Sequence, residues 1–206
     1  MKTYKELLEK WIGARRSVQQ GSRQYLKNYG KTNFGTRIHD YGNIFDDEIK
    51  SLHHYSNEGY DSINRHLRHN SKFPAHPAIQ EHINNIDYAI HKHETKHDMH
   101  VYRSLGWHDP EMKPGDIYHD RGFVSTTLNN HWGTGTGHLI HIKVPKGSKA
   151  LYLNQRSLSK HFGEQEVLLP RNAKFRYEGS EKVKDKYNQE GTLHHMTYLG
   201  THHEDT

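Results

Sequence analysis

Cysteine is absent from the 206 residues. Its absence excludes a disulfide framework and any thiolate-held metal or iron–sulfur centre. Long apolar runs are missing as well, so no segment reads as a membrane span and no membrane partner is expected. The stretch Met1 to Val18 has no unbroken apolar core, because Lys2, Lys5, Glu6, Glu9 and Lys10 interrupt it. It does not read as a secretory signal. The expectation is a cytoplasmic protein, or one delivered into a host cell by other machinery. No internal repeat or heptad pattern appears. Apolar residues amount to 32% of the chain and mean hydropathy is −1.08, both low for a globular domain. Thirteen Tyr, six Phe and three Trp nevertheless supply material for one core under a largely polar surface. Neither charge sign dominates: 29 Lys and Arg face 24 Asp and Glu, a formal net charge of +5. The basic residues are scattered, which suits an anionic ligand or acidic partner and does not indicate nucleic acid.

What is present divides the chain in two. Tyr4, Leu7, Leu8 and Trp11 at helical spacing predict a short amphipathic helix. From Arg15 to Gly42 the periodicity fades into a stretch with six basic residues and one acid, Asp40. Residues 1–42 are therefore read as a basic helical and irregular arm, and residues 43–206 as the folded domain. The acids Asp46, Asp47 and Glu48 stand where a helix N-terminus favours negative charge, followed by Ile49, Leu52 and Tyr55 at helical spacing. A second helix is predicted through Tyr60, Ile63 and Leu67 to about Asn70. A third, from about Ala78 to Lys96, carries Ile79, Ile83, Ile86 and Ile90 on one stripe. Beyond Met99 short apolar segments predict strands at 101–105, 122–127, 139–144, 150–153, 166–169, 175–177 and 193–199. Helices first and strands second means α+β, with helices packed on a mostly antiparallel set of sheets.

The chemistry concentrates in a few places. Glu164 and Glu166 stand one residue apart at the mouth of the run Val167-Leu168-Leu169. On an extended backbone both would face one side, and two like charges together suggest a place where a cation, or developing positive charge, is met. A solvated loop carrying two acids is the plainer alternative. Val101-Tyr102-Arg103-Ser104-Leu105 puts Arg103 in an apolar row, either paired with an acid or lining a cleft, where its fork of donors suits phosphate or carboxylate. Gly122-Phe123-Val124-Ser125-Thr126-Thr127 closes an apolar strand with three hydroxyls, a pattern common in ordinary strands.

The order of these blocks, Tyr-Arg-Ser, then Gly-Phe-Val-Ser-Thr-Thr, then Glu164-Gln165-Glu166 before Val-Leu-Leu-Pro, resembles the mono-ADP-ribosyltransferases, in particular the actin-modifying binary-toxin type and related bacterial and phage enzymes. The helical lead-in from Leu52 to Arg68 is similar to theirs too, and the resemblance spans about residues 46 to 199. It implies an α+β fold in which a helical N-terminal part packs on a two-sheet, mostly antiparallel β core. It also implies NAD as substrate, with no metal required, and a protein arginine as acceptor. By the resemblance Arg103 holds a phosphate of NAD, and Ser104 lies beside the nicotinamide carboxamide. Ser125 orients Glu166, with Thr126 and Thr127 completing the strand end. Glu166 grips the nicotinamide-ribose hydroxyl and stabilises positive charge on the sugar; Glu164 engages the arginine. Phe162 becomes the exposed aromatic of a substrate-reading loop, two residues before Glu164 where the toxins often place it three before. Trp132 supplies an aromatic beside nicotinamide, with His131 as a polar contact, in a segment that lacks the Lys or Arg of many relatives. The chain is expected to act as a monomer on a target whose identity the sequence does not name.

Three alternatives stay open at this point. Water could replace the acceptor, making the protein an NAD glycohydrolase. His93-Glu94-Thr95-Lys96-His97 matches the His-Glu-x-x-His pattern of zinc hydrolases, which requires both histidines one helical turn apart; with 21 histidines in the chain such a match arises easily by chance. Residues 1–42 could also make a non-catalytic basic binding module.

Overall fold

The computed structural model describes residues 44–69, 75–104, 111–129, 137–153, 165–184 and 190–201. The predicted helix at Tyr4–Trp11 and the basic arm lie outside them. The first described element is one helical rod in three parts: α1 (Asp46–His54), a π-helical turn (Tyr55–Gly59) and α2 (Tyr60–His69). Asp46, Asp47 and Glu48 occupy the first turn as the sequence suggests, where their charge favours the positive end of the helix dipole. Glu48 also reaches back, its Oε2 accepting the Phe45 amide at 3.0 Å, while Oε1 takes Lys92 Nζ at 2.6 Å. The two helices expected here are thus continuous. In the π turn the Tyr60 amide donates to the Tyr55 carbonyl five residues back. Gly59 belongs there because a Cβ would stand 2.5 Å from the His54 ring.

The third helix, α3 (Pro77–His91), opens on proline, whose missing amide hydrogen is spare in a first turn. It buries Ile83, Ile86 and Ile90 as the stripe predicts, but ends at His91 rather than near Lys96. Tertiary bonds take over. The Thr95 amide donates to Ser148 O at 2.9 Å and its carbonyl accepts from Gly147 N at 2.8 Å, while its hydroxyl donates to Pro145 O at 2.7 Å. A buried threonine bonded in this way cannot continue the helix.

Eight strands follow: β1 (Met99–Ser104), β2 (Ile117–Asp120), β3 (Val124–Thr127), β4 (His138–Val144), β5 (Leu151–Tyr152), β6 (Glu166–Leu169), β7 (Ala173–Lys184) and β8 (Glu190–Thr201). Their order is β2-β7-β8-β4-β1-β3-β6-β5, antiparallel throughout except for the β4–β8 pair. Where the resemblance implies two sheets, the hydrogen-bonded ladder is continuous. It narrows to one registered pair, Tyr102 with Thr127, between β1 and β3. Edge strand β2 was not foreseen, since Ile117-Tyr118-His119-Asp120 shows no alternation of apolar and polar residues. Strands β7 and β8 run well past their predicted ends: their far halves carry little apolar surface, and ladder pairing from Ser180–His194 to Lys184–Glu190 holds them.

Two cores result. Strands and their flanking turns build the first, from Met99, Val101, Ile140 and Ile142 on one side of the link and Val124, Val167 and Leu169 on the other. The second joins the helices to the far end of the sheet: Leu52, Tyr55, Ile63 and Ile86 pack with Phe123, Leu151, Leu153 and Leu168. Each such side chain contributes roughly 1.5–3 kcal/mol of transfer free energy. The second core therefore fixes the helical rod against β3 and β6, the strands that carry Ser125 and Glu166. Among the described residues no helix is long and apolar enough to cross a membrane.

Candidate active site

Strand β1 presents alternate residues to opposite sides: Met99 and Val101 enter the strand core, and Arg103 follows on their side. It emerges between two adjoining clefts. The larger, about 530 Å³, lies between α2, which supplies Tyr60, Asn64, Arg65 and Arg68, and the sheet residues Arg103 and Ser125. The smaller, about 180 Å³, is walled by Tyr102, Arg103 and Ser104 of β1, Ser125–Thr127 of β3, and Glu166. Arg103 and Ser125 belong to both.

Arg103 Nη1 is buried and has no hydrogen-bond partner among the described residues. A buried, unsatisfied donor costs about 1–3 kcal/mol, more on a charged group, so it marks a place prepared for an acceptor. Arg68 lies across the larger cleft. Its Nε and Nη2 meet Asp120 Oδ1 and Oδ2 at 2.8 and 2.9 Å. Burial works against the Arg68 charge, but the hydrogen bonds and charge of Asp120 outweigh it and leave its pKa above the ordinary arginine value. Arg65 forms an exposed ion pair with Asp61 one turn back. Three guanidinium groups thus line one cleft together with Asp61; two of them are paired with carboxylates, and Arg103 Nη1 is the donor prepared for an anion.

Tyr55 ties helix to sheet. Its hydroxyl accepts from Asn64 Nδ2 at 2.9 Å and lies 3.2 Å from Ser125 Oγ. Burial pushes the phenol pKa up, so it stays protonated. Asn64 Oδ1 accepts the Phe123 amide at 2.9 Å. Gly122 leaves room for this contact, since a Cβ there would approach Asn64 Oδ1 to 2.7 Å. The Ser125 hydroxyl therefore pairs with Tyr55, while Glu166 Oε2 accepts from Ser56 Oγ at 3.3 Å. Thr126 is buried and donates to Val167 O at 2.7 Å, stitching β3 to β6. Thr127 Oγ1 accepts the Asn129 amide at 3.0 Å.

Of the residues the sequence singles out, Arg103, Ser104, Ser125, Thr126, Thr127 and Glu166 come together around the smaller cleft. Glu164, Phe162, Trp132 and His131 lie outside the described residues. Gln165 has φ of 53°, so the extended backbone assumed between the two glutamates fails at the residue joining them. A non-glycine residue in the left-handed region costs about 1 kcal/mol or more, and such positions cluster at functional sites. Sequence reasoning assigned no role to Tyr55, Ser56, Asn64 or Arg68. Of these, Arg68 alone carried a signal, a charged residue beside Leu67 on a helix.

The zinc alternative is overturned by geometry. His93 to His97 are not helical, and Glu94 instead pairs with Lys149, both in a backbone bridge and through its carboxylate at 2.8 Å. The two histidines are not one helical turn apart. No group of three or more metal-ligating side chains occurs among the described residues.

An arginine freed for an anion, beside a carboxylate in one cleft, sits on a helix–sheet frame with counterparts elsewhere. The family model of the ADP-ribosyltransferase exoenzymes matches residues 27–199. The chain belongs to this family. Similar exoenzymes include the NAD(+)–arginine ADP-ribosyltransferase EFV of Enterococcus faecalis, 26% identical over 143 residues, which are 64% of this chain and 28% of that protein. The mono(ADP-ribosyl)transferase SpvB of Salmonella typhimurium is 29% identical over 164 residues, 64% of this chain and 27% of that one. The chain thus spans under a third of the length of either relative. Among solved structures, the exoenzyme fold is shared with Plx2a, an ADP-ribosyltransferase toxin from Paenibacillus larvae, at a TM-score of 0.74 and 22% identity over 87% of this chain and 97% of that one. It is shared also with C3stau2 from Staphylococcus aureus, solved with NAD, at 0.68 and 19% over 85% and 95%.

Proposed function

We propose that this exoenzyme transfers ADP-ribose from NAD to an arginine side chain of a protein, releasing nicotinamide. The observation that carries the reading is Arg103 Nη1, buried and without a hydrogen-bond partner among the described residues, in the same cleft as Glu166. NAD is a diphosphate, and its acceptor oxygens satisfy what Arg103 lacks. Arg68, held by Asp120, and Arg65 add charge along the larger cleft. The nicotinamide end is then directed toward Ser104 and Glu166.

Breaking the bond between ribose and nicotinamide leaves oxocarbenium-like charge on the sugar. A fixed carboxylate lowers the energy of that state more than that of bound NAD. Glu166 takes this role, gripping a ribose hydroxyl, with Ser56 donating to its Oε2. Ser125, whose hydroxyl lies 3.2 Å from that of Tyr55, orients Glu166 from the neighbouring strand. Arginine is cationic and poorly nucleophilic, so Glu164 orients the incoming guanidinium and accepts its proton. Phe162 reads the protein around that arginine, and Trp132 packs beside nicotinamide. In this reading residues 43–206 are the catalytic domain, acting as a monomer, and residues 1–42 a basic arm.

The test is labelled NAD with agmatine or a lysate, followed by mass-spectrometric mapping of modified side chains. ADP-ribose on arginine is the expected result, and Glu166→Gln should lower both transfer and nicotinamide release by several orders of magnitude with little change in NAD affinity. Free ADP-ribose alone would make the protein a glycohydrolase. Near-normal turnover in folded Glu166→Gln would remove Glu166 from the chemistry.

A further inference from the structure

The π turn has a consequence at the reacting end of the site. Successive residues of an α-helix point about 100° apart, so neighbours seldom reach the same feature. Here Tyr55 and Ser56 do: Tyr55 Oη lies 3.2 Å from Ser125 Oγ and Ser56 Oγ is 3.3 Å from Glu166 Oε2. Both residues open the π-helical segment. Such single-turn insertions recur at functional sites, where the wider turn re-aims side chains. This one is anchored from both ends of the tyrosine, by Asn64 at the hydroxyl and by edge contact with the Phe123 ring at 5.8 Å. Tyr55 is almost wholly buried, at 1% exposure, so the turn cannot rotate without breaking the helix–sheet core.

We propose that Ser56 is a positioning residue for Glu166, its hydroxyl donating to Oε2. This rests on the reading of Glu166 as the group that meets the ribosyl cation. The π turn makes the device one unit. Tyr55 fixes Ser125 on β3 and Ser56 fixes Glu166 on β6, so the helical rod sets two of the three strands that wall the smaller cleft at once. A serine donor suits the task because it is short, and because a bond to the charged form of a carboxylate favours ionisation. Glu166 opens its strand directly after Gln165, whose backbone is in the left-handed region. A carboxylate at such a junction gains from a tether on a rigid element.

The experiment measures nicotinamide release without acceptor for wild type, Ser56→Ala, Ser56→Thr and Glu166→Asp, with thermal melting of each. Ser56→Ala should lower kcat by about ten- to a hundredfold, the scale of losing one charge-assisted bond at a reacting carboxylate. KM for NAD should stay within about twofold and the melting temperature unchanged, because Ser56 is only partly buried. Ser56→Thr retains the hydroxyl and should restore most of the rate. In the Glu166→Asp background, whose shorter arm withdraws the carboxylate from Ser56, the alanine change should cost little more. An unchanged kcat in Ser56→Ala overturns the proposal. So does a loss that Ser56→Thr fails to restore, or one matched by a fall in melting temperature, either of which makes Ser56 structural. If wild type releases no nicotinamide at all, the functional reading itself fails and this role falls with it. An active wild type that depends on Glu166 and not on Ser56 overturns the positioning role alone.

Discussion

Arg68 clasps Asp120 through two parallel hydrogen bonds, Nε to Oδ1 at 2.8 Å and Nη2 to Oδ2 at 2.9 Å. Asp120 Oδ1 also accepts the Gly122 amide at 2.9 Å, so the pair fastens α2 to the turn leading into β3. Removing one member of a largely buried pair leaves the other uncompensated, at a cost of about 3 kcal/mol. Asp120→Asn keeps the shape and removes the charge. It should shift the urea midpoint downward by an amount corresponding to about 2–3 kcal/mol and weaken NAD binding, because Arg68 loses its orientation. An unshifted midpoint would mean that the clasp contributes nothing to stability.

Arg103 offers a second, separable measurement. Lysine preserves charge but not the fork of donors, and it cannot present a second nitrogen where Nη1 is buried without a partner. Arg103→Lys should raise KM for NAD by about tenfold or more and also lower kcat. Its stability should change little or improve, since Nη1 has no partner among the described residues and the variant lacks that buried donor. Lost stability with unchanged NAD affinity would recast Arg103 as a structural cation.

Acid should act on the sheet beside the smaller cleft, where the His141 ring stacks on Tyr102. A hydrogen-bonded row crosses four strands: His100 Nδ1 to His141 Nε2 at 2.8 Å, His141 Nδ1 to His195 Nδ1 at 3.0 Å, and His195 Nε2 to Glu181 Oε1 at 3.2 Å. Burial, followed by the neighbouring His100 and His195, pushes the His141 pKa down to about 4 from its ordinary 6.5. The unfolded chain therefore takes up this proton first as pH falls. Stability is whole above pH 6.5 and declines through the window from 6.5 to about 4, by about 3 kcal/mol from this group when the loss is complete. Burial lowers the His100 pKa too, with Lys143 adding to the effect, so it works in the same direction. Urea midpoints at pH 7.5 and 4.5 should fall less for His141→Gln than for wild type. Equal falls would assign the acid sensitivity to carboxylates instead.

The residues that could be read in the sequence are those whose chemistry is out of keeping with their surroundings. Arg103 stood in an apolar row, and Glu166 opened one; both arrive in the smaller cleft. The same reasoning passed over Tyr55 and Asn64, because a tyrosine and an asparagine on an amphipathic helix look like ordinary core edge and ordinary surface. Only the packing of α2 against β3 turns them into the bridge between Asn64, Tyr55 and Ser125. The helix stop at His91 was hidden for a similar reason. Thr95 leaves the helical pattern through bonds to Pro145 and Ser148, some fifty residues away. Periodicity counts neighbours along the chain, and these partners are neighbours only in the fold.

Glu164 decides between transfer and hydrolysis. Cleaving NAD needs Glu166 and a held diphosphate, whereas transfer also needs a carboxylate for the incoming guanidinium, so the two activities should part at this residue. Glu164→Gln is nearly isosteric and removes the charge and the basic oxygen together. The neighbouring Gln165 already adopts a left-handed backbone, φ 53°, and an amide for a carboxylate next to it should leave that turn unchanged. Transfer to agmatine should fall by at least about a hundredfold, the usual scale for losing a positioned base, while slow release of nicotinamide persists. Both are measured on one preparation. If the two activities fall together, Glu164 belongs with Glu166 in breaking the glycosidic bond. If transfer to agmatine survives intact, Glu164 is not needed to engage the guanidinium, and the site for NAD built on Arg103 and Glu166 stands without it.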